Sequence, residues 1–222
     1  MTTPGATTPM RPDLLADHLD AFAGAYGFLS RLLIAAPDAD LVARLGAPGL
    51  LDAWPMAADE PTVRGRELLA TAVGREELTA LVRDYDRLFV GPGPLLAAPY
   101  ESVHRTRERL VFEAPTMQVR EVYRAFGLQA PRLNREPDDH IGLELHFLAE
   151  LCTRGLDAIE AGDEFTLDTT LAGQQSFLSE HVLLWGPDLL TLVAHHAQTD
   201  FYRGVAALGT GLLEQARATF VA

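Results

Sequence analysis

Apolar residues recur at steps of three and four along much of this chain, and this spacing limits its possible folds more than any other feature. The clearest case is the segment 139–161, which ends at Gly162. Its apolar positions are Ile141, Leu145, Leu148, Cys152, Leu156 and Ile159. A period near 3.6 residues places such side chains on one face of an α-helix, and glycine is a common helix stop. The segment is therefore predicted to be a long amphipathic helix.

The same spacing predicts helices at both ends of the chain. One spans residues 13–36 and is stopped by Pro37, and another runs to Phe220 with Thr199 as its N-cap. Shorter helical segments are predicted at 62–73, 75–90, 102–112, 117–126, 165–185 and 188–198, with Gly186-Pro187 ending the fifth of these. The stretch 41–51 is short and broken by Gly46, Pro48 and Gly49. No stretch shows the sustained alternation typical of β-strands. The sequence predicts an all-α fold: a single-domain bundle of about eight to ten helices over residues 13–222, after a flexible polar tail at 1–12.

Composition excludes several classes of function. The 222 residues carry a formal net charge of −13, which argues against binding to nucleic acid or to an anionic membrane surface. This charge favours a basic partner, although solubility alone also explains it. All 18 cationic residues are arginine, so neither a Walker-type phosphate loop nor a lysine Schiff base is available. Cys152 is the only cysteine, which rules out an intrachain disulfide and a cysteine-ligated zinc or iron–sulfur site. We expect no cofactor.

The sequence also predicts a location. The start of the chain lacks the apolar core of an export signal, and no apolar run approaches the ~20 residues that span a bilayer. We therefore expect a cytoplasmic protein with no stable membrane insertion.

One segment departs from the helical pattern. From Leu88 to Tyr100 there are thirteen consecutive uncharged residues, interrupted by Gly91-Pro92-Gly93-Pro94. Proline fixes φ and lacks an amide hydrogen, and glycine permits positive φ, so the run is not one helix. We call residues 88–100 the neutral segment. Two interpretations remain open: an apolar surface loop on which a partner docks, or an ordered loop folded over the protein's own core.

A second unusual feature is the sequence Glu136-Pro137-Asp138-Asp139-His140, called here the acidic turn. Proline and acids suit the start of a helix, which explains the acids but not the histidine beside them. Carboxylates next to His140 are expected to favour its protonated form. A catalytic metal held by His140, Glu144 and His146 is the less favoured interpretation, since no H-E-x-x-H motif is present. No G-x-S-x-G motif is present either, and we expect a protein that is not an enzyme.

Together these segments resemble a known family. The order and spacing of three segments are similar to those of the TorD/DmsD/NarJ-type chaperones that mature molybdoenzymes. The segments are Tyr85–Val103, Glu136–Leu145 and Phe177–Leu190, the last of them followed by Thr199–Arg203. The resemblance implies an all-helical chaperone that binds the twin-arginine signal peptide, or the apo-form, of a molybdopterin-containing oxidoreductase subunit. Such a chaperone assists cofactor insertion and holds back export.

The resemblance also implies a peptide-binding site. The family's binding motifs fall on Tyr85, Leu88, Pro99, Tyr100, Asp139 and His140. From the chemistry of such a peptide we add Phe89, which with the other apolar residues would accept its apolar part. We also add acids that would meet its arginines through charge-assisted hydrogen bonds: Glu101, Glu136 and Asp138, together with Asp139.

Two alternatives to signal-peptide recognition remain. The first is a NarJ-like assembly factor that binds its client whether or not a twin-arginine leader is present. The second, less favoured, is a metal-dependent helical enzyme that uses His140 and Glu144.

Overall fold

The computed structural model describes residues 12–131 and 136–221, and within these ranges the fold is all-α. Ten α-helices follow one another: α1 (Pro12–Ile34), α2 (Ala39–Leu45), α3 (Glu60–Arg75), α4 (Leu78–Tyr85), α5 (Glu101–Arg105), α6 (Ala114–Ala125), α7 (Ile141–Ala161), α8 (Glu164–Phe177), α9 (Leu183–His196) and α10 (Asp200–Phe220). Two π-helical turns occur, Asp86–Val90 after α4 and Leu178–Val182 between α8 and α9. Most of the tail predicted at 1–12 lies outside the described residues, and α1 already begins at Pro12.

Two long helices organise the packing. α7 packs against α1 and α8, while α10 packs against α3 and α9. Glycine makes one of these approaches possible, because a Cβ on Gly65 of α3 would lie 2.7 Å from the backbone nitrogen of Leu208 on α10. The buried apolar residues form one core cluster that includes side chains from both ends of the described chain. The single-domain, all-α prediction is confirmed.

Local chemistry explains where several helices begin. The side chains of Asp38, Asp59, Asp163 and Thr199 accept hydrogen bonds from the first turns of α2, α3, α8 and α10. The N-cap predicted at Thr199 is thus confirmed. The N-terminus of α10 is also tied to distant residues, since Asp84 accepts from the amides of Gln198 and Thr199 at 2.9 and 2.8 Å. These bonds fix α10 beside the C-terminal turn of α4.

Two helix predictions are wrong. The helix expected at 102–112 ends at Arg105, and the chain stays irregular until α6. Arg109 and Phe112 adopt positive φ values of 53° and 64°, which no right-handed helix contains. Conversely, Gly186-Pro187 does not end a helix, because α9 continues through Pro187 to His196. α9 packs closely on α10 here, and this tertiary packing outweighs the helix-breaking tendency of proline.

No helix in the described part of the chain combines the length and apolar character needed to cross a bilayer.

Candidate functional site

The neutral segment and the acidic turn meet in the folded chain. Tyr100 and His140 form an isolated antiparallel bridge. The amide of Ile141 donates to the carbonyl of Pro99 at 2.9 Å, and the amide of Glu101 donates to the carbonyl of Asp139 at 3.0 Å. Thirty-nine residues of chain separate the two bridged positions, so this contact is a tertiary feature of the fold.

The structure favours the second interpretation of the neutral segment over most of its length. Leu88, Phe89 and Ala97 are buried, and the amide of Ala97 donates to the carbonyl of Leu88 at 3.0 Å, which closes the segment into an ordered loop. The Gly/Pro turn at 92–94 is exposed, and so is Val90, at 61%. The segment is therefore folded over the protein's own core for most of its length, and its exposed part is the edge formed by Val90 and the Gly/Pro turn.

That edge forms one wall of a cleft of about 430 Å³, called here the bridge cleft. Its lining comes from the end of α1, the π-helical turn after α4, both bridged segments and the first turn of α7. The lining residues are Ile34, Ala35, Tyr85, Phe89, Val90, Pro99, Tyr100, Ala130, Pro131, Glu136, Pro137, His140 and Leu143. This size and mixed lining suit a bound side chain or short segment rather than water alone.

Aromatic rings build one side of the cleft. The rings of Tyr85 and Phe89 lie 5.1 Å apart, and Phe89 packs edge-on against Tyr202 of α10 at 5.7 Å. Burial, reinforced by the nearby Tyr100 hydroxyl, raises the pKa of Tyr85 to about 12. Burial and the charges of Glu136 and Asp139 likewise raise the pKa of Tyr100. Both hydroxyls stay protonated at neutral pH and can donate hydrogen bonds.

His140 differs from the sequence-based expectation. Burial lowers its pKa to about 4, so the ring is neutral at neutral pH. Its Nδ1 accepts a hydrogen bond from the amide of Gly142 at 3.0 Å, which requires an unprotonated nitrogen there. The expectation of a protonated imidazole is therefore wrong. The carboxylates beside it in sequence are engaged elsewhere, and burial decides the outcome.

The two aspartates of the acidic turn have partners within the chain. Both are buried. Asp139 accepts from the amide of Ser102 at 2.7 Å and from the hydroxyl of Thr116 at 2.8 Å. Asp138 accepts from the guanidinium of Arg120 on α6, with the Nε donor at 3.0 Å. These carboxylates join α5, α6 and α7, and they do not line the bridge cleft.

Glu101 follows the same pattern on the other side of the bridge. It is fully buried, and its carboxylate accepts from Arg105 and lies 2.9 Å from Nδ1 of His181. His181 itself is buried against Phe177, with ring centroids 4.9 Å apart. Glu101 therefore links α5 to the π-helical turn before α9.

Glu144 and His140 do not form a metal site in the described structure. Glu144 is buried and accepts a hydrogen bond from the indole of Trp185 at 3.1 Å. Burial, with Glu101 and Asp139 nearby, raises its pKa well above the ordinary value, which favours the protonated carboxyl group. Across residues 12–131 and 136–221, no group of three or more His, Cys, Asp or Glu side chains is placed to hold a metal ion.

The structure thus divides the predicted site residues in two. Those that line the bridge cleft are Tyr85, Phe89, Pro99, Tyr100, Glu136 and His140. Those that lie behind it are Leu88, Glu101, Asp138 and Asp139, all of them buried. Sequence reasoning missed Val90 and Leu143 on the cleft wall, although Leu143 lies one helical turn after His140 and that spacing was a usable signal. It also missed Ile34 and Ala35, which only the fold brings here.

Comparison with known proteins gives matches over more than half of the chain. The family model for the nitrate reductase delta subunit matches residues 57–191. A chaperone protein TorD from Vibrio cholerae serotype O1 is 30% identical over 135 residues, which is 61% of this chain and 60% of that relative. A Tat proofreading chaperone DmsD from Salmonella typhi is 30% identical over 142 residues, 64% of this chain and 63% of the relative.

Among solved structures, a crystal structure from Archaeoglobus fulgidus, assigned to the redox enzyme maturation proteins, covers 95% of this chain and 98% of its own. It is 19% identical to this chain, with a TM-score of 0.47.

Proposed function

We propose that this chain, which belongs to the nitrate reductase delta subunit family, is a maturation chaperone for a molybdopterin-containing oxidoreductase subunit. In this proposal it binds the subunit's signal peptide or apo-form in the cytoplasm, without catalysing a reaction. Binding would keep the client from export until its cofactor is inserted. The TorD and DmsD relatives are named as chaperones, and the matches span about 60% of their length.

The observation that supports the proposal best is the bridge cleft. The fold joins two segments distant in sequence and leaves a concave site of about 430 Å³ at their edge. Its wall combines the rings of Tyr85, Phe89 and Tyr100 with the exposed Val90. Aromatic side chains with one polar end are favoured anchors at protein interfaces. Such a wall suits an apolar stretch of polypeptide.

The charge around the cleft suits a cation beside that stretch. Glu136 lines the cleft and is exposed, and its charge raises the pKa of both Tyr85 and Tyr100. The net charge of −13 adds a long-range attraction for basic peptides. A twin-arginine leader offers both parts, an arginine pair followed by a moderately apolar stretch. The arginine-binding role first predicted for Glu101, Asp138 and Asp139 now has less support, because these carboxylates already have partners in the chain.

The experiment is a calorimetric titration of the full chain with a molybdopterin oxidoreductase catalytic subunit from the same genome, carrying or lacking its leader. We expect binding that depends on the leader. An isolated leader peptide should compete for it. Absence of binding to either form of the subunit would overturn the proposal.

The NarJ-like alternative has its own support in the description of the matching family as a nitrate reductase subunit. In that case the client subunit binds equally well with and without its leader, and the isolated leader does not compete. The same titration therefore separates the two functions.

A further inference from the structure

The loop between α5 and α6 exposes apolar side chains next to arginines. It covers residues 106–112, and we call it the arginine loop. The three consecutive residues 110–112 are leucine, valine and phenylalanine, each between 39% and 57% exposed. Arg107 and Arg109 precede them, are exposed, and form no salt bridge within the described residues. Glu108 lies between the two arginines, so the loop keeps a positive balance of charge.

A groove of about 620 Å³ lies between α6 and the π-helical turn that precedes α9. One wall is a face of α6 that carries Glu121, Val122 and Ala125. The opposite wall carries Glu180 and Leu184. We call this cavity the α6–α9 groove. It shares no lining residue with the bridge cleft.

The charge of the groove is opposite to that of the loop. Glu121 and Glu180 are exposed on its two walls, and neither carboxylate has an ion pair within the part of the chain that the structure describes. Arg105 also lines the groove, but its guanidinium already donates to the buried carboxylate of Glu101 and, at 3.0 Å, to the carbonyl of Glu180. The groove therefore offers two carboxylates to a cationic side chain, and hydrogen bonds between a guanidinium and a carboxylate are among the strongest in proteins.

The exposed apolar residues gather on the same surface. Of the eleven large apolar residues that are exposed in the described chain, five lie in the arginine loop, near the start of α6 or in the groove. These are the three at 110–112, Met117 and Leu184. Single exposed apolar residues need no explanation, but a group of this kind indicates a surface that contacts a partner.

The partner that fits this surface is a second copy of the chain. None of residues 106–112 lines the groove of its own chain, yet the loop begins directly after Arg105, which does line it. One surface thus carries a basic apolar loop beside an acidic groove, and it is complementary to itself. Around a two-fold axis each loop can reach the groove of the other copy, so that both contacts form and the pair is closed.

We propose that this chain forms a two-fold dimer in which the arginine loop of each copy enters the α6–α9 groove of the other. Arg107 and Arg109 pair with Glu121 and Glu180, and the apolar residues at 110–112 cover the apolar part of the groove. Burial of these apolar residues supplies most of the affinity, while the ion pairs select the orientation. Both copies carry a net charge of −13, so the attraction is local and acts within the screening length of about 8–10 Å. The bridge cleft takes no part, and this inference does not depend on the proposed function.

Charge reversal on the two sides of the contact tests the dimer. Sedimentation velocity of the full chain over a series of concentrations measures the dissociation constant of the dimer. We expect the wild type to dimerise. Arg107→Glu/Arg109→Glu makes the loop acidic and should weaken the dimer at least about tenfold, because like charges then face each other. Glu121→Arg/Glu180→Arg makes the groove basic and should weaken it by a similar factor.

A mixture of the two variants restores both contacts. The acidic loop of one variant meets the basic groove of the other, and the remaining loop and groove are both native. We therefore expect one-to-one heterodimers with an affinity close to that of the wild type. Arg64→Glu/Arg75→Glu is the matched control, because it makes the same change of charge at exposed positions of α3 and should dimerise like the wild type.

Three results would overturn the dimer: a wild type that stays monomeric across the series, undiminished dimerisation of both variants, or a mixture that does not associate. If a monomeric wild type instead binds vesicles of anionic phosphatidylglycerol through Arg107 and Arg109, the arginine loop contacts lipid and the dimer is likewise overturned. The loop variant should still bind the client's leader, since the groove and the bridge cleft have no lining residue in common. A chain that dimerises as described but binds no client would overturn the proposed function alone.

Discussion

The two sides of the bridge between Tyr100 and His140 have opposite characters. Tyr100 and His140 line an open cleft, while their neighbours Glu101 and Asp139 are fully buried and bonded within the chain. Successive side chains of an extended segment point to opposite sides, so the residue next to a cleft residue points into the interior. We call these buried neighbours, Glu101 and Asp139, the scaffold side. The comparison shows that a continuous motif contains two kinds of residue, one kind lining the cleft and the other holding the cleft in shape.

The largest effect is expected on the scaffold side. Asp139→Ala leaves the amide of Ser102 and the hydroxyl of Thr116 without their acceptor in a buried site. We expect the free energy of unfolding to fall by about 3 kcal/mol, measured by urea denaturation followed by circular dichroism. Asp139→Asn, which keeps one acceptor oxygen, should lose less. If Asp139→Ala is as stable as the wild type but no longer binds the client, Asp139 contacts the client and does not stabilise the fold.

The pKa of His140 predicts a loss of stability in acid. Its folded pKa of about 4 lies below the ordinary value of 6.5, so the unfolded chain binds the proton more readily. Stability is therefore full above pH 6.5 and falls as the pH drops toward 4, by at most about 3 kcal/mol. His140→Asn keeps an acceptor for the helix start and does not titrate, so its stability should fall less over that window. Equal acid sensitivity of the two proteins would show that His140 is not the titrating group.

Tyr100→Ala tests the cleft side directly. We expect the binding free energy of the leader peptide to weaken by about 2 kcal/mol, as for an interface anchor, in a calorimetric titration. Because Tyr100 is only partly buried, we expect stability to change by less than about 1 kcal/mol. Tyr100→Phe keeps the ring and should retain most of the affinity. If Tyr100→Ala loses stability but keeps its affinity for the leader, Tyr100 stabilises the fold and does not contact the leader.

Glu144 gives the opposite pH dependence. Its folded pKa is raised well above 4.5, so the stability it contributes is present below pH 4.5 and is lost as the pH rises toward the folded value. Glu144→Gln resembles the protonated carboxyl and still accepts from the Trp185 indole. Its thermal stability should therefore decline less steeply with rising pH than that of wild type, by up to about 1.4 kcal/mol per pH unit. Parallel pH profiles would mean that Glu144 is ionised in the fold.

The smallest effect is expected at the rim. Glu136 is exposed, so Glu136→Gln should weaken leader binding by only about 0.5 kcal/mol, and the difference should shrink as salt is added. Titrations at low and high ionic strength measure it. If Glu136→Gln instead loses more binding free energy than Tyr100→Ala, and the loss does not depend on salt, Glu136 is the main anchor of the leader and the aromatic wall is not.

Sequence patterns predicted the helices where local signals agree with packing. The apolar spacing of α7 and the Thr199 cap of α10 are both present in the structure. The family assignment, made from three segments, is confirmed by the family model and the TorD and DmsD matches. At Pro187 the local pattern gave the wrong helix end, because the packing of α9 on α10 decides this region. At 102–112 it gave a helix where Arg109 and Phe112 adopt positive φ.

The cleft was only partly predictable for the same reason. The pairing of the neutral segment with the acidic turn joins residues far apart in sequence, and no periodicity encodes it. Burial could not be predicted from the sequence either. Tyr100 and Glu101 are neighbours in the sequence, yet the fold places Glu101 against His181 and Tyr100 in the cleft. Whether the cleft residues bind a client stays a prediction.

Photo-crosslinking from the mouth of the bridge cleft shows whether the client's leader lies in the cleft. Val90 is 61% exposed there, and Leu184, 51% exposed, lies outside the cleft and serves as the control. Each position is replaced in turn by p-benzoylphenylalanine, and the protein is irradiated with the leader-bearing client subunit. We expect a crosslink from position 90 to the leader's apolar stretch and none from position 184. No crosslink from position 90, or equal crosslinking from both positions, would mean that the leader does not bind in the cleft.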